Sequence, residues 1–527
     1  VFLFHLFRSF LPLRNPIGFG AADFLEFAVA AILVLLALGW RRIVAAADAL
    51  AQRPRLSMAV LAILPIALRL SLLPHYPVPT PSGSDDFSYL LLGDTLRHFR
   101  LANPVHPMHE FFESIFVLQQ PSYSSIFPLG QGIVLTLGWA GVLLSAGAFC
   151  GLTFWMLRGW TSPRWALLGG LLAVAEFGPI CKWMNDYWGG SLSACAGCLV
   201  FGAIPRLKTS SVWAELLLGL GVAIQWITRP FECLLLVAAA GLMARPRRIP
   251  YAALIPMLFG GVITLAHNHA VTNRWTTMPY MLSRQQYGVP AAFTFQPNPV
   301  PHIRLTAEQR MDYEAQNAAH DSQTYWPRLV SRLAIYRFFF LVPLFVAPLA
   351  FLRFPKVAIA VGLFALGTNF YPYFYPHYIA ALASLFLLLS VSALEKLAIR
   401  EVVMLCAAHA VFWYGLHLAG PEELRVALMR HENWDFIDYG DPEGRIAVNR
   451  QLDKLPGKQL VFVRYWPTHG FHEWIHNAAD IDSAKVVWAA DLGEEKDAAL
   501  RNYYPSRKAW LLEPDARPPR LTRYRPE

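Results

Sequence analysis

Residues 57–89 read SMAVLAILPIALRLSLLPHYPVPTPSGSDDFSY. The stretch from Ser57 to Pro74 is mostly apolar and close to the roughly 20 residues a helix needs to cross a bilayer. A proline-rich approach follows, and then two adjacent carboxylates, Asp85 and Asp86. Acids placed just beyond a hydrophobic span, opening a loop rich in His, Glu, Gln and Tyr, point to chemistry at a membrane surface rather than to simple anchoring.

Composition extends that reading to the whole chain. Of the 527 residues 55% are hydrophobic and only 15% charged, and the mean hydropathy is +0.36. Soluble domains are about a quarter charged, so the expectation is a polytopic α-helical membrane protein. The net charge of +9 does not imply nucleic acid, because Lys and Arg cluster at span ends, as topology demands. The six cysteines fall in or beside apolar runs. Cys195 and Cys198, in SLSACAGCLV, read as close helix packing through small residues rather than a zinc site. Val1 to Leu13 is apolar, but no small-residue cleavage site follows, so no cleaved signal is expected.

Apolar runs at 23–40, 57–74, 141–157, 164–181, 190–205, 212–228, 231–244, 250–267, 337–353, 357–371, 377–393 and 401–418 give about 11–13 spans. Short basic loops alternate with them: Arg41, Arg42, Arg53 and Arg55; Arg158 and Arg164; Arg206 and Lys208; Arg245, Arg247 and Arg248; Arg353 and Lys356; Lys396 and Arg400. The positive-inside rule puts these in the cytoplasm. The other side then receives the loops 75–140 and 268–336, the turn around Asn185-Asp186-Tyr187, the aromatic turn 371–378 and the tail 419–527. In that tail 458–465, 485–489 and 508–512 read as strands and 494–502 as a helix, hence a small extracytoplasmic α/β domain. The expected units are 1–56, an extra N-terminal span with its link; 57–418, the transmembrane catalytic part; and 419–527.

Ser84 reads as a helix N-cap, with Asp85 and Asp86 in the first turn, where the helix dipole alone favours acids. The catalytic alternative has one carboxylate take a proton from an acceptor hydroxyl while the other holds a metal or a sugar hydroxyl. Neighbours on a helix project about 100° apart, so the two differ in task, and Asp85 is the favoured base. His109 and Glu113, four apart, would share a helix face as metal or substrate contacts, or form a solvated interfacial face. Tyr123 lies on the way to a membrane-lying helix that starts near Phe127. Asp186, with Lys182 and Asn185, is the second outer acid. Arg229 at a Thr228-Arg229-Pro230 break either pairs with Glu232 in packing or, with Lys182 and Arg69, clamps a lipid phosphate. Arg69 could equally snorkel. Arg284 and His377 are further polar candidates in outer segments.

On these residues, 57–418 resembles a GT-C type integral-membrane glycosyltransferase, near the polyprenyl-phosphate-sugar-dependent branch that includes the dolichyl-phosphate-mannose and aminoarabinose transferases. The acid pair in the first outer loop, Pro128-Leu129-Gly130-Gln131-Gly132, Asp186, the Arg229 break and Asn268…Val271-Thr272 carry the likeness. The resemblance implies inverting transfer from a polyprenyl-phosphate-linked sugar to an extracytoplasmic glycan, lipid or protein acceptor. Asp85 or Asp86 is then the catalytic Asp that deprotonates the acceptor hydroxyl and Asp186 its support, in a bacterial inner (plasma) membrane. It allows a divalent metal ion, for which no ligand set can be named. Two departures stand out: the extra span 23–40, and the short room left by 136–142. The rival readings are a transporter or lipid flippase, and an inactive membrane scaffold displaying the tail.

Overall fold

A computed structural model describes residues 21–37, 40–209, 211–244, 249–322, 324–341, 344–397, 400–420 and 443–524. Arg245, Arg247, Arg248, the first twenty residues and the start of the expected tail domain lie outside them. The chain is a mostly helical membrane protein with a small C-terminal sheet. Among the described residues five helices are long and apolar enough to cross a bilayer: Pro54–Ser71, Trp139–Leu157, Tyr251–Thr272, Pro376–Lys396 and Arg400–Ala419. The pair Ala28–Leu35 and Trp40–Ala51, counted as one bent span, makes six. Ser191–Arg206, Val212–Thr228, Pro230–Ala244 and Pro355–Thr368 are apolar but shorter. Breaks at Arg229-Pro230 and elsewhere leave fewer full-length helices than the apolar runs suggested.

Sequence decides which helix is central. Residues of Pro376–Lys396 are apolar or small on every face, and 89% of its span is buried inside the protein. A helix apolar all round belongs in a core. Tyr251–Thr272 is only 22% buried and turns Ile255, Leu258, Phe259 and Val262 outward, the side chains of a lipid-facing helix. One run departs from expectation. In place of the expected span 337–353 the described residues form two 3-10 turns, Ala334–Phe339 and Leu344–Leu352, the second containing Pro348, whose missing N–H interrupts a regular helix.

The two ends differ. At one end the basic short loops tie to one another: Arg164 pairs with Asp48, Arg158 donates to the Ala51 carbonyl at 3.1 Å, Arg206 to that of Trp155 at 2.7 Å, and Lys356 to that of Met243 at 2.9 Å. The long loops gather at the other end. There Ser84–Arg97, the two-residue strands β1 (Val117–Leu118) and β2 (Ser124–Ser125), and the helices Pro279–Tyr287, Ala307–Asp321 and Tyr325–Leu333 build a polar cap.

The tail strands form where expected: β3 (Gln459–Val463), β4 (Val486–Ala490) and β5 (Lys508–Glu513), with the helix Glu494–Tyr503. A fourth, β6 (Arg520–Arg523), pairs antiparallel to β5, giving the order β4-β3-β5-β6 with β3 parallel to both neighbours. Strand side chains alternate between faces. Val461, Val463, Trp488, Trp510 and Leu512 pack on Trp474 and the helix Arg445–Asp453. Leu460, Phe462, Val487 and Ala489 pack on Leu91, Phe111, Phe112, Val117 and Tyr123 of the first loop. Half the sheet therefore shares its core with residues 75–140.

Candidate functional site

The helix Ser84–Arg97 is capped by Gly83, not Ser84. Asp86 does the capping: its Oδ2 accepts from the amides of Ser82 at 3.1 Å and Gly83 at 3.2 Å. It is buried, with Oδ1 unpartnered. Asp85 is only half-buried, and among the described residues its carboxylate meets no hydrogen-bond donor but its own amide. The two adjacent acids have separated their roles by geometry.

Small residues bring the other elements to this helix. A Cβ at Gly130 would strike Thr228, so only glycine lets the short helix Leu129–Leu135 lie against the Arg229 break. Gly138, at φ +58°, makes the tight turn into Trp139–Leu157 that the crowded 136–142 stretch requires. Gln131 Nε2 donates to the Tyr187 carbonyl at 2.9 Å and Trp139 Nε1 to that of Met184 at 2.9 Å, fixing the acid-bearing loop. Arg332 donates to the Thr368, Tyr371 and Pro372 carbonyls, and Arg328 to that of Asn369, locking the aromatic turn.

These supports converge on one cluster. Lys182 Nζ lies 3.3 Å from Asp186 Oδ2 and 4.0 Å from the Trp188 ring centre; Asp186 also accepts from the Trp188 amide. Arg229 Nη1 lies 3.0 Å from Glu232 Oε1, with its guanidinium 4.5 Å over Tyr378. Tyr371 donates to Glu232 Oε2 at 3.2 Å. His377 stacks on Tyr375, and Trp188 meets both edge-on.

Burial, then the Asp312 and Asp186 carboxylates, push Asp85 up to about 7, with Lys182 pulling the other way. Burial followed by Asp186 raises Asp86. Burial raises Asp186 too, against Lys182, and takes Asp312 to about 6 despite its bond from Gln316. Crowded carboxyls in a low-dielectric site resist ionising together. Perturbed acids converging in one place mark a functional-site candidate.

Among the described residues no group of three or more His, Cys, Asp or Glu is arranged to hold an ion; Asp86 Oδ2 serves two amides, and Asp186 serves Lys182 and Trp188.

Of the residues singled out by sequence, Asp85, Asp86, Asp186, Lys182, Arg229, Glu232 and His377 meet here. Arg284, bonded to Gln296 at 3.4 Å, lies on the neighbouring helix Pro279–Tyr287. Asn185 is buried one layer below, its Nδ2 donating to Pro179 and Cys181 and its Oδ1 accepting from Arg69 Nε at 2.6 Å. Arg69 is 1% exposed and donates also to the Tyr76 and Pro77 carbonyls, so it neither snorkels nor faces a phosphate. His109 and Glu113 share no α-helical face: a 3-10 turn, His109–Phe112, ends before Glu113. His109 pairs with Gln120 and Glu113 accepts from Tyr287 and Gln309. Tyr123 donates to the Asn477 carbonyl in the core shared with the tail.

Sequence reasoning missed Asp312, Tyr89 and Trp188 as site residues. Asp312 had a signal: Gln309, Asp312 and Gln316 form a polar stripe at helical spacing, and that stripe is the buried face.

Fold and site thus define an integral membrane protein with a cluster of perturbed acids and paired cations under its loop cap. A solved structure of the archaeal oligosaccharyltransferase AglB from Archaeoglobus fulgidus, in complex with an inhibitory peptide and a dolichol-phosphate, is similar at TM-score 0.36 and 11% identity, over 86% of this chain and 69% of that one. No protein-family profile and no curated protein matches the chain.

Proposed function

We propose that this chain is a GT-C type glycosyltransferase that moves a sugar from a polyprenyl-phosphate carrier to an acceptor hydroxyl at its loop end, the extracytoplasmic side. The observation that carries the reading is Asp85. It is a half-buried carboxylate with no competing donor among the described residues, raised to about 7 and within reach of the Lys182 charge, while Lys182 is held by Asp186 and Arg229, at the nearby helix break, by Glu232. A base near neutrality is best placed to accept a proton and still ionise at working pH.

In this mechanism Asp85 takes the acceptor hydroxyl's proton as that oxygen bonds to the anomeric carbon. The bond from that carbon to the phosphate oxygen breaks, its electron pair leaves with the phosphate, and the configuration inverts. Arg229 and Lys182 offset the charge growing on the leaving phosphate. Asp186 orients Lys182, and Asp86 holds the start of the helix that aims Asp85. Membrane crossing by 57–418, with the basic loops in the cytoplasm, delivers a lipid-borne donor to this depth.

Purified protein offered labelled polyprenyl-phosphate sugars tests it. Transfer with inversion of the anomeric centre is the expected product. Folded protein that consumes no donor, or a product of retained configuration, would overturn the reading.

A further inference from the structure

Residues 473–482 of the C-terminal unit hydrogen-bond and stack on the acid-bearing helix and its cap, alongside Arg445 and one face of the sheet. The Glu473 amide donates to the Ser82 carbonyl at 3.2 Å, and the Ser82 amide is one of the two that hold Asp86. The Glu473 carboxylate is buried and fully engaged, accepting from Ile115 at 3.3 Å, Ile475 at 2.9 Å and the Tyr465 hydroxyl at 3.0 Å. His476 is sandwiched: its ring stacks on Phe87 at 3.9 Å and 23°, and on Trp488 of β4 at 5.5 Å and 20°. Its Nδ1–H donates to the Trp474 carbonyl, and its desolvation between the two rings, with Arg445 nearby, keeps the imidazole neutral, lowered to about 3. Arg445 covers the Phe87 ring at 4.8 Å and that of Trp474 at 4.2 Å. Farther along, Asn477 accepts from Tyr123, and the Ala479 amide donates to Asp94 Oδ2 at 2.8 Å.

The contacts touch Ser82, just before the helix, and Phe87 and Asp94 within it, so they flank Asp85 and Asp86 on both sides. A helix starting in a proline-rich loop has no covalent reason to keep its first turn at a fixed angle to the rest of the site. Backbone and ring contacts from a sheet supply one, and catalytic carboxylates tolerate little misplacement.

We propose that residues 473–482 of the C-terminal unit set the position of the acid-bearing helix, with His476 and Glu473 as positioning residues, so that the tail is part of the site rather than an appended module. This rests on the transferase reading for its kinetic consequence, but not for its structural one.

The test uses the full chain carrying His476→Ala or His476→Phe. Phenylalanine keeps the stack between Phe87 and Trp488; alanine removes it. Hydrogen exchange of amides 84–94 is expected to speed up roughly tenfold in His476→Ala through local opening, while β3 and β4 keep their protection and His476→Phe behaves like the parent. Under turnover, His476→Ala lowers kcat with donor KM held. Unchanged exchange at 84–94 in His476→Ala, equal loss of protection across β3 and β4, or a His476→Phe variant as loose as alanine would each overturn the proposal. A parent protein that turns over no donor would sink the transferase reading alone, since the exchange result needs no reaction.

Discussion

Lys182 Nζ stands 3.3 Å from the Asp186 carboxylate, one turn back along the same loop, and its charge also reaches Asp85, where it opposes the upward push of burial and of two neighbouring acids. The cation therefore has two roles: it opposes the upward push of burial on Asp186 and keeps Asp85 within reach of neutral pH.

Lys182→Met removes that opposition. Turnover in the parent is expected to rise with pH through about 7 as Asp85 becomes the free base. In the variant this acid limb moves to higher pH, by about one unit, and a pH–rate profile reads it directly.

Asp85 also links stability to pH. Its folded value, about 7, lies above its ordinary 3.8, so its contribution to stability is complete below the ordinary value and is lost as pH rises through the folded one. Asp85→Asn should raise the unfolding temperature near pH 8 and leave it unchanged near pH 4. Thermal unfolding in one detergent at the two pH values is the measurement.

Arg229 is fixed by Glu232 and Tyr378, and its planar guanidinium can serve both and still face an anion. Lysine lacks that fork. Arg229→Lys is expected to lose about 10²–10³ in kcat with the fold retained. Glu232→Ala, which strands a buried cation, should cost roughly 3–5 kcal/mol of stability. Steady-state kinetics and chemical denaturation separate the two effects.

Arg69 predicts the opposite pattern. It joins the span Pro54–Ser71 to Asn185 and to two carbonyls of the loop, and charged hydrogen bonds of this kind contribute about 1.5–3 kcal/mol each. Arg69→Met should lower the unfolding temperature while the pH of the acid limb stays put, because the guanidinium does not touch the acid cluster.

What was legible in the sequence follows from what local chemistry fixes. The apolar runs located most helices to within a few residues, and the tail strands β3, β4 and β5 fell where short apolar runs stood between polar turns. The strand β6, Arg-Leu-Thr-Arg, has no apolar run; the open edge of β5 makes it a strand. Asp85, Asp86, Asp186 and Arg229 stood out because charge beside a membrane span is costly without a purpose. Asp312 did not, because it sits in a helix full of charges and only tertiary packing decides that its face is the buried one. The near identity of Asp85 and Asp86 in sequence is likewise resolved only by the amides of Ser82 and Gly83, which engage one and leave the other.

Single-turnover transfer from a labelled polyprenyl-phosphate sugar, parent beside Asp85→Asn and Asp86→Asn, bears most directly on Asp85 as the base. Asp85→Asn should abolish transfer at every pH, a loss on the order of 10³ or more. Asp86→Asn keeps a carbonyl oxygen that can still accept from Ser82 and Gly83, and should retain part of the rate. Parent-like transfer by Asp85→Asn would contradict the assignment and move the base to another acid of the cluster.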